Sequence, residues 1–366
     1  MPPNALFRAK PKILAWHRWL ALFAGLFVIS QGLSGTLIAF RYELNRAIHP
    51  GAMTVAPASA PLSLSAIIKA SQSVLSDAKV NRVDYPRALD DSYIARLADK
   101  DGALSIATVD QAGHVTRAKS IWFWPVEAAY QIHENLLIGE VGQRAIGFIG
   151  LAILVLAFSG LLYWWPAPGR FRKAVGQTVK PQLVKGRVTR ELHRAVGIVA
   201  ALYFIMMASI GLTMAWSPWT QPLVGAVLPF SVERPKVPKA CAKPRPVDDA
   251  VAAAQAKRPG QPIKSVRFQA KGRIVAVYFQ STAAYPPRAT DHVWVNACNA
   301  AVLAVDDKAH NGAGDRFFDW LLPIHSGEWL GMPGRILSWS AALALAVMGT
   351  SGYILWTLRT LRRRKR

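Results

Sequence analysis

The segment that decides the fold is IHENLLIGEVGQRAIGFIGLAILVLAFSGLLYWW, residues 132–165, in which a histidine precedes a long apolar run. The same plan returns 192 residues later as IHSGEWLGMPGRILSWSAALALAVMGTSGYILWT, residues 324–357, with ten of 34 positions identical. His133 aligns with His325 in this comparison. The identities further along include Ser159–Gly160 with Ser351–Gly352 and Trp164 with Trp356.

A second repeated feature precedes each of these segments. His17–Arg18 begins one apolar run, and His193–Arg194 begins another 176 residues later. The chain is therefore interpreted as a duplicated unit of two apolar spans, with a histidine at the N-terminal approach to each span. Any function assigned to this protein has to account for four histidines at repeated positions.

The apolar runs predict a membrane protein with four transmembrane helices. Each run has about 20 residues and almost no charge, which is the length that a helix needs to cross roughly 30 Å of hydrocarbon. The runs are Trp19–Phe40, Ala145–Trp165, Ala195–Trp216 and Ile336–Trp356.

The net charge of +23 is distributed according to topology. The segment before the first span, the loop between spans two and three, and the tail after span four together carry 18 basic residues and one acidic residue, Glu191. Basic residues that flank membrane spans stay in the cytoplasm. Both termini and the middle loop are therefore expected inside, and the two long connections outside, which is the periplasm if the membrane is a bacterial inner membrane. This distribution, with some attraction to anionic membrane lipid, argues against nucleic acid as a partner.

The two outside connections each predict a small α+β domain. In the first, a helix at Leu62–Leu75 precedes short strands, and in the second a helix at Val247–Lys257 does so. The predicted strands are Asn81–Asp84, Ser92–Ala98, Leu104–Val109, Lys264–Phe268, Ile274–Gln280, His292–Asn296 and Val302–Val305. The predicted division is 1–40 (cytoplasmic segment and span one), 41–128 (first periplasmic domain), 129–165 (periplasmic helix and span two), 166–188 (basic loop), 189–216 (span three), 217–320 (second periplasmic domain), 321–358 (turn and span four) and 359–366 (basic tail).

The repeat predicts how the four histidines come together. Two parallel copies of a hairpin are related by a two-fold axis along the membrane normal. This axis brings His17 towards His193 (the first pair, expected on the cytoplasmic side) and His133 towards His325 (the second pair, expected on the periplasmic side). Two imidazoles that face each other across a helix bundle suit the axial positions of haem iron. Zinc would need three or four ligands at each site, and no further ligand recurs beside either pair.

Other residues receive weaker assignments. Arg18 and Arg194 lie beside the first pair and could bind haem propionates, although contact with lipid phosphate and the positive-inside topology explain them better. Cys241 and Cys298, both in the second outside segment, could form one disulfide bond in an oxidising compartment or remain two thiols. His49, His114, His292 and His310 have no repeated partner and are interpreted as surface residues.

The motifs HRWLAL, IHENLLIGEVGQ, LHRAVG and IHSGEWLGMPGR, with the Ser-Gly-x-x-x-Trp ends of spans two and four, resemble the PepSY-associated transmembrane family. The chain is similar in particular to the inner-membrane siderophore reductases of the FoxB type. This resemblance implies PepSY-like periplasmic domains, two b-type haems and reduction of a periplasmic ferric siderophore. The chain contains no Gly-rich dinucleotide motif, so a separate cytoplasmic reductase or the quinone pool is expected to donate the electrons.

Two other classes of function remain open at the level of sequence. A metal transporter could use the histidines as a relay, since ionisable residues within membranes often mark transport pathways. A regulatory membrane protein could instead bind a partner peptide through its outside domains, with histidines that are only structural.

Overall fold

The computed structural model describes residues 3–57, 61–179, 187–283, 286–287 and 289–364. Residues 180–186 of the predicted basic loop and residues 365–366 of the predicted basic tail lie outside the described residues. The chain divides into two compact units. The helical unit contains Met1–Phe40, Ala129–Thr220 and Leu321–Arg366, and the sheet unit contains Arg41–Ala128 and Gln221–Trp320.

The helices, in chain order, are α1 Pro3–Ile38, α2 Arg41–Ile48, α3 Pro50–Met53, α4 Leu64–Val74, α5 Pro125–Asn135, α6 Gly139–Trp164, α7 Phe171–Val179, α8 Val188–Ala215, α9 Ser217–Gly225, α10 Val247–Lys257, α11 Ala313–Ser326 and α12 Gly331–Arg364. The strands are β1 Lys79–Asp84, β2 Tyr93–Ala98, β3 Leu104–Val109, β4 Val115–Ser120, β5 Ile263–Gln269, β6 Ile274–Gln280, β7 Thr290–Asn296 and β8 Val302–Asp306. Short 3-10 turns occupy Ile121–Phe123, Ala270–Gly272 and Glu328–Leu330.

In the part of the chain that the structure describes, four helices, α1, α6, α8 and α12, contain segments that are long and apolar enough to cross a membrane. The prediction of four spans is therefore confirmed. The helices pack as a closed ring in which α1 contacts α12 and α6, and α8 contacts the same two neighbours. Consequently α1 and α8, which carry His17 and His193, occupy opposite positions in the ring.

Small residues allow the helices to approach closely. Gly32 of α1 lies against the backbone of Ala346 in α12, and Gly349 of α12 lies against Ile29 of α1, so a Cβ atom at either glycine would collide with the neighbouring helix. Such contacts are typical of helix packing within membranes, where dispersion forces replace the hydrophobic effect as the driving force.

The sheet unit differs from the prediction of two separate domains. All eight strands form one antiparallel sheet in the order β4-β3-β2-β1-β5-β6-β7-β8. The two halves join where β1 pairs with β5, with Val83 opposite Val266. Two separate four-stranded sheets would each leave one of these strands at an edge with unpaired backbone groups, and the β1–β5 pair removes both edges.

One face of the sheet carries α4 and α10 and the main apolar core. Core side chains such as Val83, Leu97, Val266 and Phe279 are almost completely buried. Strand β4, VTRAKS, was not predicted because its polar composition lacks a regular apolar alternation, and its position at the edge of the sheet makes that composition acceptable.

Cys241 and Cys298 form a disulfide bond, with their Cα atoms 5.9 Å apart. The bond fixes the extended segment before α10 to the turn between β7 and β8. In the chain-entropy description, a cross-link over a loop of this size stabilises the folded state by about 4 kcal/mol.

Candidate functional site

The first pair of histidines lies in the helical unit. His17 projects from α1 towards α6, where its Nδ1 atom lies 2.8 Å from the hydroxyl oxygen of Ser159. His193 projects from α8 towards α12, where its Nδ1 atom lies 2.7 Å from the hydroxyl oxygen of Ser351. The two histidines are close enough to interact electrostatically. The residues that align in the sequence repeat thus make the same contact in both halves of the chain.

The serine hydroxyls determine which ring nitrogen carries the proton. Ser159 donates its hydroxyl hydrogen to the carbonyl oxygen of Leu156 at 3.1 Å, and Ser351 donates to that of Met348 at 3.1 Å. A hydroxyl has only one hydrogen to donate, so each serine accepts a hydrogen bond from the Nδ1–H group of its histidine. The Nε2 atom of each neutral imidazole therefore keeps its lone pair, which is the arrangement found in metal-ligating histidines.

A glycine follows each of these serines and makes room for the imidazole ring. A Cβ atom at Gly160 would lie 3.5 Å from Cε1 of His17, and one at Gly352 would lie 3.9 Å from Cε1 of His193. The repeated Ser-Gly sequence thus has two physical roles. The serine orients the ring, and the glycine allows the ring to lie close to the helix backbone.

The second pair is built in a related way but on other helices. His133 of α5 places its Nδ1 atom 3.1 Å from the hydroxyl oxygen of Ser34 in α1, and that hydroxyl donates to the carbonyl oxygen of Ser30 at 2.6 Å. The ring lies over Gly35, where a Cβ atom would be 3.3 Å from Cε1. Here too the Nε2 atom retains its lone pair.

His325 of α11 breaks this pattern. Its ring lies over Gly211 of α8, where a Cβ atom would be 3.3 Å from Cε1 of His325. The residue before this glycine is Ile210, whereas a serine precedes the glycine beneath each of the other three rings. The Nδ1 atom of His325 is buried and makes no hydrogen bond of normal geometry among the described residues, although it faces the backbone of Met207. One of the four imidazoles is therefore packed in its place without a hydroxyl partner.

The rings of His133 and His325 face each other with their centroids 6.2 Å apart and their planes inclined by 53°. An imidazole nitrogen binds a metal at about 2 Å, so two imidazoles on opposite sides of one iron have centroids roughly 6 Å apart. Burial and the neighbouring His325 together lower the pKa of His133 to about 4. The ring is therefore neutral at physiological pH, which is the form that ligates iron.

The structure places the two predicted arginines differently. Arg18 lines a shallow cleft with Trp19, Trp356 and Arg359. Arg194 forms an ion pair with Glu191 at 2.6 Å and donates a hydrogen bond to the carbonyl oxygen of Gln177 at 3.2 Å. Both contacts of Arg194 use the same guanidinium nitrogen, Nη2, and its Nε atom is buried with no hydrogen-bond partner among the described residues. Arg18 instead faces the cleft.

Sequence reasoning missed a buried arginine in the helical unit. Arg335 of α12 is only 8% exposed, donates a hydrogen bond to the carbonyl oxygen of Ala39 at 3.0 Å and stacks on the ring of Phe40 at 4.6 Å. Ala39 lies one turn beyond Gly35, the residue beneath His133. The aligned residue in the first half of the chain is Gln143, so the repeat gave no indication of this cation.

The four remaining histidines divide into two groups. His114 and His310 are highly exposed and contact Asp110 and Asp307, as expected of surface residues. His49 and His292 are more enclosed than predicted. His49 packs against Phe123 and Trp124, and His292 packs against Tyr278 and contacts Asp306 at 3.2 Å.

No group of three or more His, Cys, Asp or Glu side chains within the described ranges is arranged to hold a metal ion.

No curated protein sequence matches this chain. The family described as the PepSY-associated TM region matches residues 14–359, and the chain belongs to this family. The match covers nearly the whole sequence, including all four spans and all four repeated histidines. The family resemblance inferred from the histidine motifs is confirmed.

Proposed function

From the chain's place in this membrane family, we propose that it is an oxidoreductase that holds two haem b groups and transfers electrons to a ferric siderophore, with release of Fe(II). The observation that carries the proposal is the orientation of the repeated imidazole rings. Serine hydroxyls orient three of them through Nδ1, which leaves Nε2 available to a metal. Structural histidines have no need of the same orientation at repeated positions.

The residues present fit two haem groups. His17 and His193 would hold one, and His133 and His325 would hold the other. The separation of 6.2 Å between the ring centroids of His133 and His325 would allow both to bind one iron. A bound haem would supply one-electron transfer.

The chain's own residues supply the surroundings for this chemistry. The glycines beneath the rings allow close packing, and the apolar spans keep water away from the ligands. Fe(III) in the chelate takes up one electron and becomes Fe(II), which siderophores bind far more weakly. The electrons come from a separate cytoplasmic reductase or from the quinone pool.

The distribution of basic residues supports an orientation with both termini in the cytoplasm of a bacterial inner membrane. Reporter tags at either terminus or at residue 178 should then report cytoplasm, and a tag at residue 90 should report periplasm. A periplasmic C-terminus would reverse the expected direction of electron transfer.

The direct test begins with the absorption spectrum of the purified protein. We expect a sharp Soret band and reduced α-bands. After anaerobic reduction, addition of a ferric siderophore with a ferrous chelator should reoxidise the protein within minutes while Fe(II) accumulates. A colourless protein would leave the transporter and regulatory alternatives. A coloured protein that no ferric chelate reoxidises would require a different electron acceptor.

A further inference from the structure

We propose that the sheet unit contains a binding site for an oxygen-rich anion at Arg267, on the sheet face opposite α4 and α10. The choice of ligand, a ferric catecholate chelate, rests on the proposed function. The site itself is argued from the sheet unit alone, from the charges, stacking and burial of its side chains.

Three arginines stand side by side across the middle of the sheet. Arg96 of β2 is the register partner of Arg82 of β1, and Arg82 is the register partner of Arg267 of β5. Side chains alternate between the two faces of a strand, and their neighbours Val83, Leu97 and Val266 belong to the core. The three arginines therefore share the opposite face, where like charges in adjacent strands destabilise a sheet unless something neutralises them.

Carboxylates neutralise two of the three arginines. Asp84 pairs with Arg82 at 2.5 Å and with Arg96 at 3.1 Å. Glu127, which is almost fully buried, pairs with Arg96 at 2.6 Å. Burial opposes the charge on Glu127, but Arg96 and Arg41 outweigh it and hold the pKa of Glu127 well below its usual value.

Arg267 lacks this compensation. The ion pairs within the described ranges leave it without a carboxylate, and its Nε atom is buried with no hydrogen-bond partner. A buried polar atom of a charged group is costly unless a hydrogen-bond acceptor or counter-charge meets it. An anion that binds here would provide the missing acceptor.

The surroundings of Arg267 suit a flat, oxygen-bearing ligand. Its guanidinium group lies over the ring of Tyr278 at 4.3 Å, which holds the planar group in one orientation. The ring centroids of Tyr278 and His292 are 4.2 Å apart, and those of His292 and Trp294 are 5.6 Å apart. A row of aromatic rings therefore continues along the same face of the sheet.

The acceptor nearest this cluster is the Asp306 carboxylate, which contacts His292 at 3.2 Å and is already paired with Lys308 at 2.7 Å. Gln269 donates to the Tyr278 hydroxyl at 3.5 Å, which leaves the tyrosine hydrogen available for another acceptor. A guanidinium fork beside aromatic rings matches the paired oxygens and planar rings of catecholate groups. These side chains are half-buried, so a ligand could reach them and still be partly desolvated.

The test measures binding separately from reduction. The probe is the Ga(III) complex of a tris-catecholate, which has the shape and charge of the ferric complex but cannot accept an electron. Titration of the purified full-length protein is expected to give saturable binding that Arg267→Met weakens at least tenfold. Arg267→Lys should give an intermediate affinity, because it keeps the charge and loses the planar fork.

Lys271→Met is the matched control. Lys271 is an exposed cation in the turn between β5 and β6, and its removal changes the net charge by the same amount. We expect its affinity to equal that of the wild type. Equal affinity in Arg267→Met and wild type, or equal losses in Arg267→Met and Lys271→Met, would overturn the site. Tyr278→Leu gives a second, independent measurement if Arg267→Met folds poorly.

The outcomes separate this site from the proposed function. Binding of the Ga(III) complex that depends on Arg267, in a protein that no ferric chelate reoxidises, would support the site and refute the reductase activity. Reduction of ferric chelates at the same rate and affinity in Arg267→Met would support the activity and refute the site.

Discussion

The two histidine pairs differ in how their rings are held. In the first pair, both Nδ1–H groups donate to serine hydroxyls at 2.7–2.8 Å. In the second pair, His133 makes a longer bond of 3.1 Å to Ser34, and His325 has Ile210 where the repeat would place a serine. A hydrogen bond from Nδ1–H makes the other nitrogen a stronger donor to a metal, so under the proposed function the second pair would supply weaker ligands.

The buried Arg335 adds to this difference. It lies close to one end of α1, one turn beyond the glycine under His133, and no sequence counterpart of this cation exists in the other half of the chain. Weaker ligands and a nearby cation both favour the reduced, less positive state of a bound haem. We therefore expect the haem of the second pair to have the higher midpoint potential, which would direct electrons from the first pair to the second.

The largest expected effect is the loss of haem on substitution of a histidine, which tests whether the histidines are paired correctly. His133→Ala or His325→Ala should remove about half of the haem and abolish the higher-potential step, whereas His17→Ala or His193→Ala should abolish the lower-potential step. Haem content per protein and spectroelectrochemical titration of each variant measure this. Loss of one common haem from His17→Ala and His133→Ala would disprove the pairing and the comparison with it.

A smaller change in midpoint potential is expected when a serine partner is introduced beside the second pair or removed from the first. Ile210→Ser should place a hydroxyl next to Nδ1 of His325, which should lower the midpoint potential of the second haem and raise the affinity of the protein for it. Ser351→Ala removes the partner of His193, so it should raise the midpoint potential of the first haem and lower the affinity for that haem. Removal of such an orienting partner typically costs 10–100-fold in metal affinity. Competition for haem with apomyoglobin and redox titration provide the measurement.

Ile210→Val is the control for the change in side-chain volume at that position. It should leave both midpoint potentials unchanged. A similar shift in Ile210→Val and Ile210→Ser would show that packing, rather than hydrogen bonding, distinguishes the two pairs.

The smallest effect concerns Arg335. Arg335→Met should lower the midpoint potential of the second haem by about 50 mV, close to a tenfold change for a one-electron couple, and leave the first haem unaffected. Arg335→Lys retains the charge and should retain most of the potential. If the midpoint potentials of both haems shift together in Arg335→Met, the substitution has disturbed the helix bundle as a whole. Arg335 would then not be the cause of a difference between the two pairs.

The local elements of the chain could be predicted from its periodicity. Strand β3, strand β6 and helix α10 have the predicted bounds, because their apolar residues alternate or recur in the manner of a half-buried strand or helix. The four spans could be recognised from length and apolar composition, although α1 and α12 continue well beyond their apolar runs. The histidines were identified because the duplication repeats them, not because of any local pattern.

The sequence by itself determined the four spans, the repeated histidines and most of the strands, since each depends on residues close together in the chain. Only the tertiary structure decided that β1 joins β5 and that Ser159 and Ser351 orient histidines 142 and 158 residues away. It also decided that the buried Nε atom of Arg267 has no hydrogen-bond partner among the described residues. Each of these depends on which strands pair and which helices pack together. Strand pairing and helix packing follow from the burial of whole faces, and no single segment of sequence carries that information.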